Sequence, residues 1–379
     1  NDMKGKQGMV CMGLLLVLSS CHTGKQITAS GLQRKDFQTE VNGQHTDLFT
    51  LSNKQGMEVC ITNYGARVVS ILVPDRNGKR EDVVCGFSTI TEYMEQRQNF
   101  GSTVGRYIGR ILNARFTLDG VEYKLVPNNG KSGHISHGGN PGFADRIWKV
   151  EQADTHRVRL SYLSPDGENG FPGNLKVTLV YSLGEDDNAL DLTYEATTDA
   201  PTVLNLSHHS FFNISGNFTK SVEDQQLWVD ADRFTPYDDK KCVTGEYLPV
   251  AGTPLDFRMP HTIGECIDAD HPQLKVVNGY DHTWELNTKG DDTRPAAWVY
   301  DPASGRKMEI FTTEPGMQIY TGNGLKGKMT GKGGIAYPFR SAVCFETMHF
   351  QDSPNHPGFP STVLRPGEVF RSHTVYKFE

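Results

Sequence analysis

The sequence predicts an all-β chain built as one large antiparallel β-sandwich, and three observations carry that reading. Apolar residues recur with period two: Val158, Leu160 and Tyr162 alternate with Arg157, Arg159 and Ser161, and the same alternation runs through Leu175, Val177, Leu179, Tyr181 and through Leu190, Leu192, Tyr194, Ala196. Successive side chains of a strand point to opposite sheet faces, so this period marks strands with one buried face. Between such runs stand Asn42-Gly43, Asn77-Gly78, Asp119-Gly120, Asn129-Gly130, Asp166-Gly167, Asn169-Gly170, Asn278-Gly279 and Asn323-Gly324. Both residues of such a pair tolerate the positive φ that tight hairpins need. Finally, the chain has 39 Gly but one short helix candidate, Thr91 to Gln96, so turns and strands dominate.

From the N-terminus, Lys4 and Lys6 precede an apolar stretch from Met9 to Leu18, followed by small residues. A positive region followed by a short apolar one is the pattern of a secretory signal, and the stretch is far short of the about 20 residues that span a bilayer. Leu18-Ser19-Ser20-Cys21 resembles the bacterial lipobox, in which the cysteine is lipidated and becomes the mature N-terminus. The expectation is a signal over residues 1–20, a lipid anchor at Cys21 as the sole membrane contact, and a place in the bacterial cell envelope facing the periplasm. Residues 21–34 are polar and read as a flexible tether. No Pro- or Ser-rich linker follows, so residues 35–379 are expected to form a single domain.

Charge and cysteines exclude several functions. With 38 Lys plus Arg against 45 Asp plus Glu and no basic block, phosphate-driven nucleic-acid binding is excluded. Five cysteines follow Cys21, at 60, 85, 242, 266 and 344, scattered and without a C-x-x-C pair. That argues against a disulfide framework or a Cys-rich zinc site and for buried thiols.

Polar clusters interrupt the strand-like sequence at Gly105–Ile111, His134–Gly139, Asn205–Asn213, Gly279–His282, Glu314–Gln318 and Cys344–Thr347. Histidines and a carboxylate among aromatics suit acid–base chemistry on a sugar, because partial burial tunes both toward neutral pH. His134 and His137 have H-x-x-H spacing, but on a strand that spacing sends them to opposite faces, so no metal is assigned. No serine sits in a G-x-S-x-G elbow, which argues against a Ser-His-Asp hydrolase. Each candidate has a structural alternative. Glu346 has an ion pair with Arg340, Arg110 a salt bridge, His209 a satisfied core position, Asp281 an Asx-turn, and His137 and Gln318 loop hydrogen bonds.

Together these clusters resemble the aldose 1-epimerase family. Its G-R-x-x-N-R-I is matched by Gly105–Ile111, its L-H-G-G by Ser136–Gly139, its N-H-S-Y-F-N by His208–Asn213 and its D-H-N by Asp281–Thr283. Its P-G-x-Q-x-Y-T-G-N is matched by Pro315–Asn323 and its E-T-Q-x-F-P-D-x-x-N-x-P by Glu346–Pro357, all in the family's order. The resemblance implies a galactose mutarotase-like supersandwich and interconversion of the α and β anomers of free hexoses such as glucose and galactose, with no cofactor. It implies Glu346 as the base, His209 as the acid, and Arg110, His137, Asp281 and Gln318 as sugar-binding residues, with Phe211 and Tyr320 packing on the sugar's apolar face.

Five departures bear on binding: Gly109 for asparagine, His208 for asparagine, Phe211 for tyrosine, Ser136 for leucine and Thr283 for asparagine. Gly109 is expected to cost one hydroxyl contact, and His208 to perturb His209 by like-charge repulsion. Two other functions use the same residues. A non-catalytic sugar-binding lipoprotein would bind sugar without accelerating mutarotation. A glycosidase would pair Glu346 with Asp281 or Glu314 and cleave aryl glycosides.

Overall fold

The computed structural model of the chain describes residues 26–379, so the signal expected over residues 1–20 and the anchor at Cys21 lie outside the described residues. The expectation of a flexible tether over 21–34 is corrected for residues 26–34. Ile27 pairs with Gln33 across a turn, Leu32 is buried, and the N–H groups of Ala29 and Ser30 donate to the Glu58 carboxylate. An apolar anchor and a buried carboxylate that needs donors hold this segment on the domain.

Three antiparallel sheets form the sandwich. A nine-stranded sheet runs in the order Lys149–Ala153, Arg157–Ser164, Leu175–Leu183, Ala189–Thr198, Phe370–Phe378, Lys307–Thr312, Ala297–Tyr300, Gln226–Val229, His261–Thr262. Facing it are a six-stranded sheet (Phe211–Phe212, Val343–Met348, Gly316–Tyr320, Asp281–Glu285, Arg233–Thr235, Leu248–Pro249) and a four-stranded sheet from Leu48–Ser52 to Arg80–Asp82. One core joins all three, with Val59 and Ile71 from the four-stranded sheet, Leu179 and Leu192 from the nine-stranded sheet, and Ile319 and Phe345 from the six-stranded sheet.

The predicted alternation appears where two strands flank each run. In Leu175–Leu183 every second residue is buried, and Ala189–Thr198 repeats the pattern. In Arg157–Ser164 it breaks after Leu160. Leu163 is exposed, while Tyr162 packs against Phe143 and Trp148 at the margin of the common core with its hydroxyl on Glu168. Asn42-Gly43 and Asp119-Gly120 are two-residue hairpin loops with both φ values positive. Asn278-Gly279 is not a hairpin. Asn278, with φ of 58°, closes a helix over Pro272–Val277 that the alternation does not reveal. An Asn-Gly pair supplies positive φ to a helix end as readily as to a hairpin, and Pro272 in the first turn is the helix signal. The expected helix at Thr91–Gln96 is Ile90–Gln96, capped by Thr89 and Glu92 in a reciprocal box. The five cysteines of the described residues are free thiols. Cys60, Cys85 and Cys344 are buried as expected, whereas Cys242 and Cys266 sit in loops and are partly exposed.

The six-stranded sheet positions the site. Its inner face sends Phe345, Ile319 and Trp284 into the core. By the same period of two, its outer face presents Glu346 and Met348, Gln318 and Tyr320, and Asp281 on three adjacent strands.

Candidate active site

A cavity of about 280 Å³ opens on this outer face, lined by Arg110, His137, His209, Phe211, Tyr237, Asp281, Gln318, Glu346 and Gln351 among others. The volume lies just below the about 300–1,000 Å³ of pockets for drug-sized ligands, which suits one sugar ring. The register places Gln318 directly opposite Glu346 and Tyr320 opposite Asp281. His209 arrives from a separate short strand, Ser207–His209, and its Nε2 stands 3.6 Å from Glu346 Oε1. His137 adopts the left-handed conformation (φ 51°) after Ile135–Ser136, which turns its ring to within 5.4 Å of the His209 ring, edge to face. Arg110 lies on a strand paired with Ile135–Ser136 and donates to the Lys241 carbonyl. All six residues expected at the site therefore line one cavity.

The structure decides between several sequence alternatives. Arg340 donates to Asp268 and Glu223 rather than to Glu346. Arg106, the first arginine of its motif, is buried and donates to the carbonyls of Ser164, Pro165, Pro172 and Gly173, so it is a structural residue. His134 faces Cys242, its Nε2 at 3.4 Å from Sγ, while His137 faces the cavity, so the H-x-x-H pair is divided. Among the described residues, the group able to hold a metal ion is instead His209, Cys344 and Glu346, whose ligand atoms lie within 4.8 Å of one another.

Burial sets the protonation of the site. It pushes the Glu346 carboxyl well above its usual range, with the Asp281 charge adding to the shift. It pushes His209 well below the usual imidazole range, with His137 next in effect. Each group alone is driven toward its neutral form, so the adjacent pair holds one proton between them. His137 is lowered to about 4 by burial and by Arg110, and its Nδ1 accepts from the Gly109 N–H, so it is a neutral imidazole with a fixed tautomer. Asp281 is raised by burial, against the opposing hydrogen bond from Gln318. The Phe211 ring stacks on His209 at 5.1 Å and fixes the plane of the imidazole. His208 occupies the opposite face of the strand, between Tyr181 and Tyr376, and burial lowers it to about 3. The like-charge repulsion expected of it is present, since His208 lowers His209, but it ranks behind burial and His137.

Gln318 has all four hydrogen-bonding positions filled by protein. Its Nε2 donates to Asp281 and to the Tyr237 hydroxyl, and its Oε1 accepts from Thr283 and Gln351. Its amide thereby orients the Asp281 carboxylate. Sequence reasoning missed Tyr237 and Gln351. Tyr237 carries no local signal, but Gln351 stands where the matched motif has proline, and that letter was the available clue.

Comparison with known proteins settles the family. The profile of the family Aldose 1-epimerase matches residues 47–377. A galactose mutarotase of Bos taurus is 40% identical over 331 residues, 87% of this chain and 93% of that protein. The aldose 1-epimerase of Escherichia coli K12 is 36% identical over 339 residues, 89% of this chain and 96% of that protein. The chain belongs to the aldose 1-epimerase family.

Among solved structures, an aldose epimerase homologue from C. elegans superposes with a TM-score of 0.81 at 31% identity, covering 88% of this chain and 99% of that one. The galactose 1-epimerase of Lactobacillus acidophilus gives 0.78 at 28% identity, covering 90% and 96%. The protein is thus an isomerase that interconverts the anomers of aldoses. This member of the family has the all-β sandwich that the alternating sequence predicts.

Proposed function

We propose that Glu346 and His209 carry out the ring opening, with glucose and galactose as substrates. The observation that supports this is their separation of 3.6 Å in a buried cavity. The two oxygens of a cyclic hemiacetal share one carbon, so a base and an acid held side by side can serve both of them. With the pair's shared proton on His209, Glu346, as the carboxylate, takes the proton of the C1 hydroxyl while the C1=O bond forms. The C1–O5 bond breaks, and O5 takes the proton from His209. Rotation about C1–C2 presents the other face of the aldehyde. O5 then attacks C1 and returns its proton to His209, while the carbonyl oxygen takes the proton from Glu346. No electrons or groups leave the sugar, so the step balances without a cofactor.

Arg110 donates to the sugar's developing oxygen charge, Asp281 accepts from hydroxyls, His137 bonds to a ring hydroxyl, and Phe211 and Tyr320 flank the ring. Gln318 acts through Asp281, since its own positions are filled. The protein is placed in the cell envelope by a lipid on Cys21, with residues 35–379, and residues 26–34 packed on them, as one catalytic domain. What supports the location is the signal-like pattern before Cys21.

The test is polarimetry on fresh α-D-glucose and α-D-galactose. Relaxation faster than buffer is expected for both, and a rate no better than buffer for both overturns the substrate assignment. Cys21→Ser should move the protein from the membrane fraction to the soluble fraction; unchanged fractionation overturns the anchor.

A further inference from the structure

Positions 109 and 351 compete for one volume. Gly109 has φ of +78°, and a Cβ added there would lie 2.5 Å from Cγ of Gln351. The backbone does not itself exclude a side chain, because asparagine enters the left-handed region more readily than most residues. The obstacle is Gln351, whose side chain already fills the space. Its amide is tied at both ends. Oε1 accepts from the Arg110 N–H at 3.2 Å, and Nε2 donates to the Tyr237 hydroxyl at 2.9 Å and to Gln318 Oε1 at 3.3 Å. Gln318 in turn donates to Asp281 Oδ1 at 2.8 Å. One amide therefore connects the backbone that carries Arg110 to the carboxylate that faces the sugar.

The sequence supplies an independent observation. Gly109 stands where the family motif has asparagine, and Gln351 stands where it has proline. The first departure removes an amide from this wall of the cavity and the second returns one to the same wall. The two positions are far apart in the chain and in contact in the fold.

We propose that Gln351 is a sugar-positioning residue of this enzyme, its amide taking over the volume and hydrogen bonding that an asparagine at 109 would supply. Both of its amide protons are used within the protein, so it acts by holding Arg110, Tyr237 and the Gln318–Asp281 pair in register for the sugar hydroxyls. The proposal rests on the reading of this cavity as the sugar site.

Polarimetric kcat and KM of Gln351→Ala, Gly109→Asn and the double variant Gly109→Asn/Gln351→Pro, with Glu346→Gln alongside, test it. Loss of one neutral hydrogen-bonding group predicts that Gln351→Ala raises KM about three- to tenfold while kcat stays within about twofold. Gly109→Asn should be the worse single variant, because its side chain meets Gln351, and the double variant should recover KM to within about threefold of wild type. An unchanged KM in Gln351→Ala, a fall in kcat alone, or a double variant no better than Gly109→Asn overturns the proposal. If Gln351→Ala does not fold, the comparison of Gly109→Asn with the double variant decides. Retained activity in Glu346→Gln overturns the site itself, and loss there with an unaffected Gln351→Ala overturns this inference alone.

Discussion

Two histidine–carboxylate associations in this protein have opposite electrostatics. In the cavity, His209 and Glu346 are both almost fully buried and 3.6 Å apart, and burial drives each toward its neutral form. On the nine-stranded sheet, His373 is held between Asp191 and Asp292, each at 2.6 Å, and those hydrogen bonds raise it to about 9. The difference is solvent and partner count. His373 keeps part of its hydration and has two carboxylates bonded to its two ring nitrogens, so the imidazolium is favoured. His209 is almost fully buried and stands beside one carboxylate, so its neutral form is favoured instead. One association stores charge as a clamp, and the other holds no fixed imidazolium.

The largest effect expected is on the pocket pair. Glu346→Gln should lower kcat by about 10²–10⁴-fold in polarimetry, the usual contribution of general acid–base catalysis. The same variant should be at least as thermally stable as wild type at pH 7. A carboxyl whose folded pKa is raised destabilises the fold as pH rises above about 4.5, and Gln removes that cost. A lower melting temperature would mean that Glu346 serves the fold. His209→Asn should lose about 10²-fold or more of kcat while its melting temperature stays near that of wild type.

The pH profile sharpens the comparison. Because His209 is pushed down and Glu346 up, the shared proton should persist across the neutral range, so kcat should be level from about pH 6 to 8. An inflection near 6.5 would show that His209 titrates as an ordinary histidine. For the clamp, the sign is the same as for Glu346, because both groups hold their proton more tightly in the fold, but the pH window is higher. The His373 pKa is raised from 6.5 to about 9, so its stabilisation is complete below about pH 6.5 and lost as pH rises through about 9. His373→Ala should destabilise the protein by about 1–2 kcal/mol at pH 6, after allowing for partial exposure, with kcat unchanged. The difference from wild type in thermal melts should vanish by about pH 10. The smallest effect is expected for His208→Asn. It should move the pH profile little, because His208 faces the core and ranks behind burial and His137 in its effect on His209.

Much of the fold is readable from residues, for a local reason. Leu175–Leu183 and Ala189–Thr198 lie inside the nine-stranded sheet with one face on the core, so burial imposes period two directly on their composition. The strand at Arg157–Ser164 resists that reading because its end packs on Phe143 and Trp148, residues the local pattern does not contain. The helix at Pro272–Val277 is too short to show its own period and ends on an Asn-Gly pair that also signals hairpins.

The site divides the same way. Motif letters and strand periodicity are local properties, and they suffice for the sandwich class, the family, and the candidates Glu346, His209, Arg110, His137, Asp281 and Gln318. Where those side chains point and what they touch depends on packing. Two adjacent histidines are sent to opposite faces, one to the core and one to Glu346. Arg106 and Arg110 share a motif, yet one is enclosed by carbonyls and the other faces the cavity. Gln351 occupies the volume beside Gly109, and Gln318 is committed to Asp281. These are contacts between strands and loops distant in the chain, and their distances, burial and proton affinities come into being only when the sheets pack.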